Sequence, residues 1–210
     1  MRGRFITFEG GEGCGKSTQI RLLAAKLSER GIEAVETREP GGTLLNERIR
    51  HLIKDQREEA PVDKCELLLF LAARAQLVEK VVLPALERGA WVLSDRFCDS
   101  TFAYQGYGRG LDMASVKAAN GFACGGLMPD LTFLLEVDAA EAEARRKARE
   151  QALGEAADRI EQAGDGFHAR IRRGFDELAA AEPARIRRID AGGTREETAE
   201  RIWKSIAHLL

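Results

Sequence analysis

Residues 10–17 read Gly-Gly-Glu-Gly-Cys-Gly-Lys-Ser, and they restrict what this chain can fold into more than any other stretch. The pattern is Gly, four residues, Gly, Lys and Ser. It follows the apolar run Phe5-Ile6-Thr7-Phe8 and precedes helical spacing at Ile20, Leu22, Leu23 and Leu27, the strand–loop–helix setting that a P-loop requires. Glycines let the main chain curl so that successive N–H groups face one concavity, and the helix behind adds the positive end of its dipole. A polyphosphate is then held mainly by backbone. Gly10, Gly11, Glu12, Gly13, Cys14, Gly15, Lys16, Ser17 and Thr18 are the predicted lining. Lys16 is placed to reach the β- and γ-phosphates, and the Ser17 hydroxyl to complete a Mg²⁺ shell. A Gly-rich turn capping a helix would explain the glycines but not the Lys-Ser pair.

The 210 residues suit one α/β domain with a small lid. With 32 basic residues against 34 acidic ones, the net charge of -2 argues against broad affinity for nucleic acid, so any anion site is local. Cys14, Cys65, Cys98 and Cys124 form no C-x-x-C pair, which supports neither a zinc site nor a disulfide framework. The longest apolar run, Leu67 to Ala73, is too short to span a bilayer, and the N-terminal residues lack a signal-peptide core. A cytoplasmic protein with reduced thiols is the expectation.

Five short apolar or β-branched runs recur between helical patterns: residues 5–8, 34–37, 91–94, 131–135 and 186–189. Helical spacing or composition covers 18–30, 44–57, 63–88, 112–124, 139–150, 167–182 and 194–209, with a bend or end expected near Pro84. Such alternation predicts an α/β fold, a three-layer αβα sandwich around a five-stranded parallel sheet, with ligands at the carboxyl ends of the strands. The segments following those strands, including Arg38 to Thr43 and Asp95-Arg96-Phe97, are expected to converge on one crevice. Residues 145–166 stand apart, rich in Arg, Glu and Ala and broken by Gly154, Gly164 and Gly166. They read either as a solvated helix laced with ion pairs or as a lid over phosphates.

The blocks Phe8 to Thr18, Thr37-Arg38-Glu39-Pro40-Gly41-Gly42-Thr43, and Asp95-Arg96-Phe97 with Ser100 and Ala103-Tyr104-Gln105-Gly106, taken in this order and spacing, resemble bacterial thymidylate kinases. The likeness runs from residue 5 to about 207. It implies a homodimer that moves the γ-phosphoryl group of ATP onto dTMP with Mg²⁺. Carried onto this chain, Arg96 and Arg38 grip the acceptor phosphate, with Ser100 nearby, and Glu39 and Pro40 shape that loop. Phe70 stacks on thymine, Arg74 hydrogen-bonds the base, Thr101 and Gln105 finish its recognition, and Tyr104 crowds the sugar's 2′ position. Glu12 is the acidic residue at the donor–acceptor junction. Because Gly13 and not an arginine follows it, the chain resembles the variety that supplies a catalytic arginine from the lid, which makes Arg149 and Arg159 the candidates.

Chemistry asks for the same residue types. A phosphate monoester, with a second pKa of about 6, is largely a dianion at neutral pH and attacks without a base. What remains is positioning and charge neutralisation, supplied by Lys16, Arg96, a lid arginine, and Mg²⁺ on Ser17 and Asp95. A guanine-reading switch is disfavoured because neither asparagine, Asn46 or Asn120, begins an Asn-Lys-x-Asp element. A kinase for another small acceptor and a non-catalytic nucleotide-binding module are the remaining alternatives. Arg38 with Arg96 favours an acceptor already bearing phosphate, and the full set of charged groups disfavours the module.

Overall fold

The computed structural model describes the backbone of residues 2–55, 59–153, 158–160 and 162–210, with the side chains of all these except 149, 150, 152 and 153. Five strands, β1 Phe5–Glu9, β2 Ala34–Arg38, β3 Trp91–Asp95, β4 Leu131–Glu136 and β5 Ile186–Asp190, form one sheet of order β2-β3-β1-β4-β5. Every pairing is parallel. The three inner strands are apolar almost throughout and buried, as a sheet covered on both faces demands. The edge strands carry the exposed Glu36, Arg187 and Arg188.

Strand periodicity sorts β1 between the two layers. Ile6 and Phe8 pack with Ile20, Leu23 and Leu27 of α1 (Lys16–Ser28) and Ile202 and Ile206 of α9 (Arg195–Ile206). Phe5 packs on the opposite layer, which holds α3 (Asp63–Leu77), α4 (Leu83–Glu87), α5 (Cys98–Thr101) and α6 (Met113–Cys124). The same alternation turns Thr7 and Glu9 toward that second layer. Helices α2 (Leu44–Lys54) and α8 (Asp165–Ala181) enclose a further apolar cluster around Ile53, Ile160 and Phe175, and α7 spans Ala139–Leu153.

The expected break at Pro84 takes a specific form. A π-helical turn, Val78–Val82, joins α3 to α4, and Pro84 sits in the first turn of α4. Tyr104 and Gln105, expected in a loop, instead lie in a second π-helical turn, Phe102–Gly108, which continues α5. Two glycines and three aromatics hid that helix from a reading based on periodicity. Helix α2 ends at Lys54; positions 56 and 57 of the expected helix lie outside the described residues. Among the described residues no helix is long and apolar enough to cross a membrane.

Candidate active site

Parallel strands bring the segments that follow β1, β2 and β3 to one edge of the sheet. After β1, the P-loop turns through Gly13 at φ 75° and Gly15 at φ 92°, a left-handed conformation that a side chain would strain. A Cβ on Gly13 would also lie 2.3 Å from the carbonyl oxygen of Ala142, so α7 packs directly on the loop. Lys16 opens α1 and is buried. Its Nζ donates to the carbonyl oxygens of Gly11 at 2.9 Å and Gly10 at 3.3 Å. Cys14 is buried, its Sγ 3.7 Å from that nitrogen.

Asp95 closes β3, and its Oδ2 accepts a 2.7 Å hydrogen bond from the exposed Ser17 hydroxyl. A hydroxyl beside a carboxylate is a hard oxygen pair that fits a divalent cation completing its shell with phosphate oxygens and water. Among the described residues no cluster of three or more His, Cys, Asp and Glu is arranged for a metal, which is consistent with so sparse a protein donor set. Arg96 follows with φ 75°, an unusual conformation outside glycine. The turn aims its guanidinium at the P-loop: one nitrogen donates to Glu12 Oε1 at 2.9 Å and another to Ser100 Oγ at 3.1 Å. Its carbon also lies 5.0 Å from the centroid of Tyr104. Burial alone would raise Glu12, but the charges of Lys16 and Arg96 outweigh it and hold the carboxyl far below the usual range.

Glu9, to which the sequence pointed no role, organises this turn. It is fully buried and accepts from the backbone N–H groups of Phe97 at 2.8 Å and Ser100 at 3.2 Å, and from the Ser100 hydroxyl. Arg96 lies 3.8 Å away. Burial, against the pull of Arg96, raises the carboxyl to about 7. A raised carboxyl pKa means that the folded state keeps a proton the unfolded chain has released. Wild type should therefore lose up to about 3 kcal/mol relative to Glu9→Gln as pH rises from 4.5 through 7. Urea denaturation of both proteins at pH 5 and pH 8 measures this; a constant difference between them would refute it.

After β2, the segment Arg38 to Gly42 frames the site's second side. Arg38 is exposed and pairs with Glu47 at 3.0 Å, while Arg50, which the sequence reading passed over, donates to the Pro40 carbonyl at 3.0 Å. Burial, reinforced by the Arg38 charge, lowers Arg50's pKa. Glu39 is buried against Arg74 of α3. All five N–H groups of Arg74 are committed: to Glu39, to Thr101 Oγ1 at 2.7 Å, to Asn120 Oδ1 at 2.6 Å and to the Phe97 carbonyl at 3.0 Å. A direct bond from Arg74 to a ligand thus requires exchanging one of these. Phe70, one turn earlier on α3, is half-buried.

The lid expectation at 145–166 divides. Arg145 pairs with Glu141 and donates to the carbonyls of Ala191 and Gly193, while Arg149's side chain and residues 154–157 and 161 lie outside the described residues. Beyond them Ile160 is buried against α2, Asp158 pairs with Lys54, and Arg159 pairs with Glu66 of α3 and donates to the Ile53 carbonyl. Arg159 thus meets an acidic partner on α3 and not the P-loop. Glu66 could have been suspected from its spacing of four from Phe70 and eight from Arg74, which puts all three on one stripe of a helix.

A phosphate-cradling loop with its lysine buried in place, a hydroxyl–carboxylate pair, and an arginine fixed across from them define a P-loop phosphotransferase. The profile of the family Thymidylate kinase matches residues 8–202. A Gloeobacter violaceus thymidylate kinase is 50% identical over 202 residues, covering 96% of this chain and 93% of that protein. One from Dehalococcoides mccartyi is 46% identical over 207 residues, 98% and 96% of the two chains. The crystal structure of Ehrlichia chaffeensis thymidylate kinase superposes with a TM-score of 0.78 at 34% identity, covering 98% of this chain and all of that one. The chain belongs to the thymidylate kinase family.

Proposed function

We propose that this protein phosphorylates dTMP to dTDP with ATP as donor, supplying dTTP synthesis. The observation that carries the reading is Arg96, held across the P-loop by Glu12 and Ser100 with Tyr104 beneath it, so that an acceptor phosphate there faces a donor phosphate at Lys16. A phosphate oxygen of dTMP attacks the γ-phosphorus of ATP, the bond to the bridging oxygen breaks, and ADP leaves. No proton need be removed from the attacking dianion.

In this reading the N–H groups of residues 10–18 and Lys16 hold ATP, and Ser17 and Asp95 hold Mg²⁺, which neutralises phosphate charge when bound. Arg96, Arg38 and Ser100 receive the acceptor phosphate, with Glu39 and Pro40 shaping their loop. Glu12 faces the sugar at the junction. Phe70 stacks on the base, Thr101 and Gln105 hydrogen-bond it, Arg74 backs Thr101, and Tyr104 excludes a 2′-hydroxyl. The lid at 145–166 supplies the remaining arginine, Arg159 or Arg149, within a single cytoplasmic domain.

A coupled assay for ADP release tests the reaction. Rapid turnover with dTMP, and little with thymidine or UMP, is the expected result; preference for unphosphorylated thymidine would overturn it.

The partner in this reading is a second copy of the chain. Leu71 and Ala75 of α3 and Ala119 of α6 line an apolar groove flanked by Leu68, 63% exposed, and Phe122, 90% exposed. An apolar surface of this kind calls for cover. Light scattering should give the mass of two chains for wild type and one for Phe122→Asp; a wild-type monomer would remove the proposal.

A further inference from the structure

Glu66, Phe70 and Arg74 share one stripe of α3, and opposite them Thr101 and Gln105 are also four residues apart. The two rows join by rungs at either end: Arg74 donates to Thr101 Oγ1 at 2.7 Å, and Gln105 Nε2 donates to Glu66 Oε1 at 2.9 Å. Phe70 lies between the rungs in sequence, half-buried, as the surface on which the proposed function stacks a base.

Glu66 is fully buried and surrounded by donors. Its Oε1 also accepts from Arg109 Nε at 3.1 Å, and its Oε2 accepts from Arg109 at 2.9 Å and from Arg159. Burial alone would raise its pKa, but the hydrogen bonds from Arg109, Gln105 and Arg159 hold it below the usual range. An ionised carboxylate only accepts. Gln105 must therefore turn its NH₂ group toward Glu66, and its carbonyl Oε1 faces away, accepting no hydrogen bond from any described residue. With a neutral partner the amide would be free to turn over, because its two ends are nearly equal in shape.

We infer that Glu66 is a specificity-positioning residue: by locking the Gln105 amide it presents a carbonyl to the base, and so selects a pyrimidine bearing an N3–H over cytosine. This rests on the thymine-binding reading above. Thymine and uracil donate from N3, whereas cytosine presents a bare acceptor there, which would leave two lone pairs opposed and Gln105's carbonyl unpaired in a buried site. Arg109 contacts both carboxylate oxygens, so Glu66 has a cationic partner besides Arg159.

The test is the ratio of dissociation constants for dTMP and dCMP, measured calorimetrically on the same preparations, with dUMP as a base that keeps the N3–H. Wild type should prefer dTMP, and dUMP should behave like dTMP in each variant. Glu66→Gln, which offers Gln105 an amide in either orientation, should shrink the dTMP/dCMP preference by about tenfold. Gln105→Leu should shrink it to a similar extent, and the double variant should lose no more than either single one. An unchanged ratio in Glu66→Gln, or additive losses in the double variant, would overturn the inference while leaving the thymine reading intact. Absence of any dTMP preference in wild type would instead defeat the thymine reading and this inference with it. Should Glu66→Gln not fold, Gln105→Leu carries the test, and full selectivity in that variant would overturn the proposal.

Discussion

Lys16→Ala lowers phosphoryl transfer by on the order of 10³-fold or more, while dTMP binding stays measurable. The lysine is 6% exposed, and its ammonium is anchored on the Gly10 and Gly11 carbonyls within the loop that cradles phosphate. A cation pre-positioned in this way needs no reorganisation as charge spreads over the transferring group, and alanine leaves nothing in its place. Burial and the nearby Arg96 charge oppose its ionisation, but Cys14, Glu12 and Asp95 outweigh them and raise its pKa, so it remains charged throughout the working pH range. Steady-state kinetics alongside calorimetric titration with dTMP check the division of roles. Loss of dTMP binding together with turnover would show that Lys16 serves both substrates and would sink the prediction.

Replacing Arg96 costs nearly as much, and the backbone provides an internal control. Arg96→Ala and Arg96→Gly should each lower kcat/KM for dTMP by on the order of 10³-fold, because the bridge from Glu12 to Ser100 and the charge facing the acceptor phosphate disappear together. Their stabilities should differ. At φ 75° alanine retains the strain that glycine relieves, so Arg96→Gly should be the more stable of the pair by about 1 kcal/mol. Thermal unfolding reads this directly. Equal activity loss with a stability gap assigns the arginine's catalytic contribution to its side chain and the strain to its backbone; a kcat/KM near wild type in either variant would remove Arg96 from the site.

The fold was legible where local pattern suffices. Each of the five runs became a strand, extended by a residue at its carboxyl end; the three inner ones were marked by nearly continuous apolar residues, as a parallel sheet buried on both faces demands. The P-loop was legible for a similar reason: its glycine spacing and Lys-Ser pair act through backbone geometry within eight residues. The segment from Cys98 to Gly108 was not, since its helix is held by α6 and α8 and not by any hydrophobic period of its own. Glu9 and Glu66 were missed because an acidic residue beside apolar ones reads as exposed until its partners are in view.

By itself, then, the sequence determined the parallel αβα sandwich, the phosphate loop, the supply of arginines and the family that their order resembles. Only the tertiary structure decided how those charges are spent. It committed every N–H of Arg74 within the protein, set Arg96 across from Glu12, and brought Arg159 to Glu66 from 93 residues away. Periodicities of two and 3.6 residues say which face of an element a side chain occupies. They carry no information about which distant side chain will meet it there, and in a buried site the charge, orientation and availability of each donor depend on that partner.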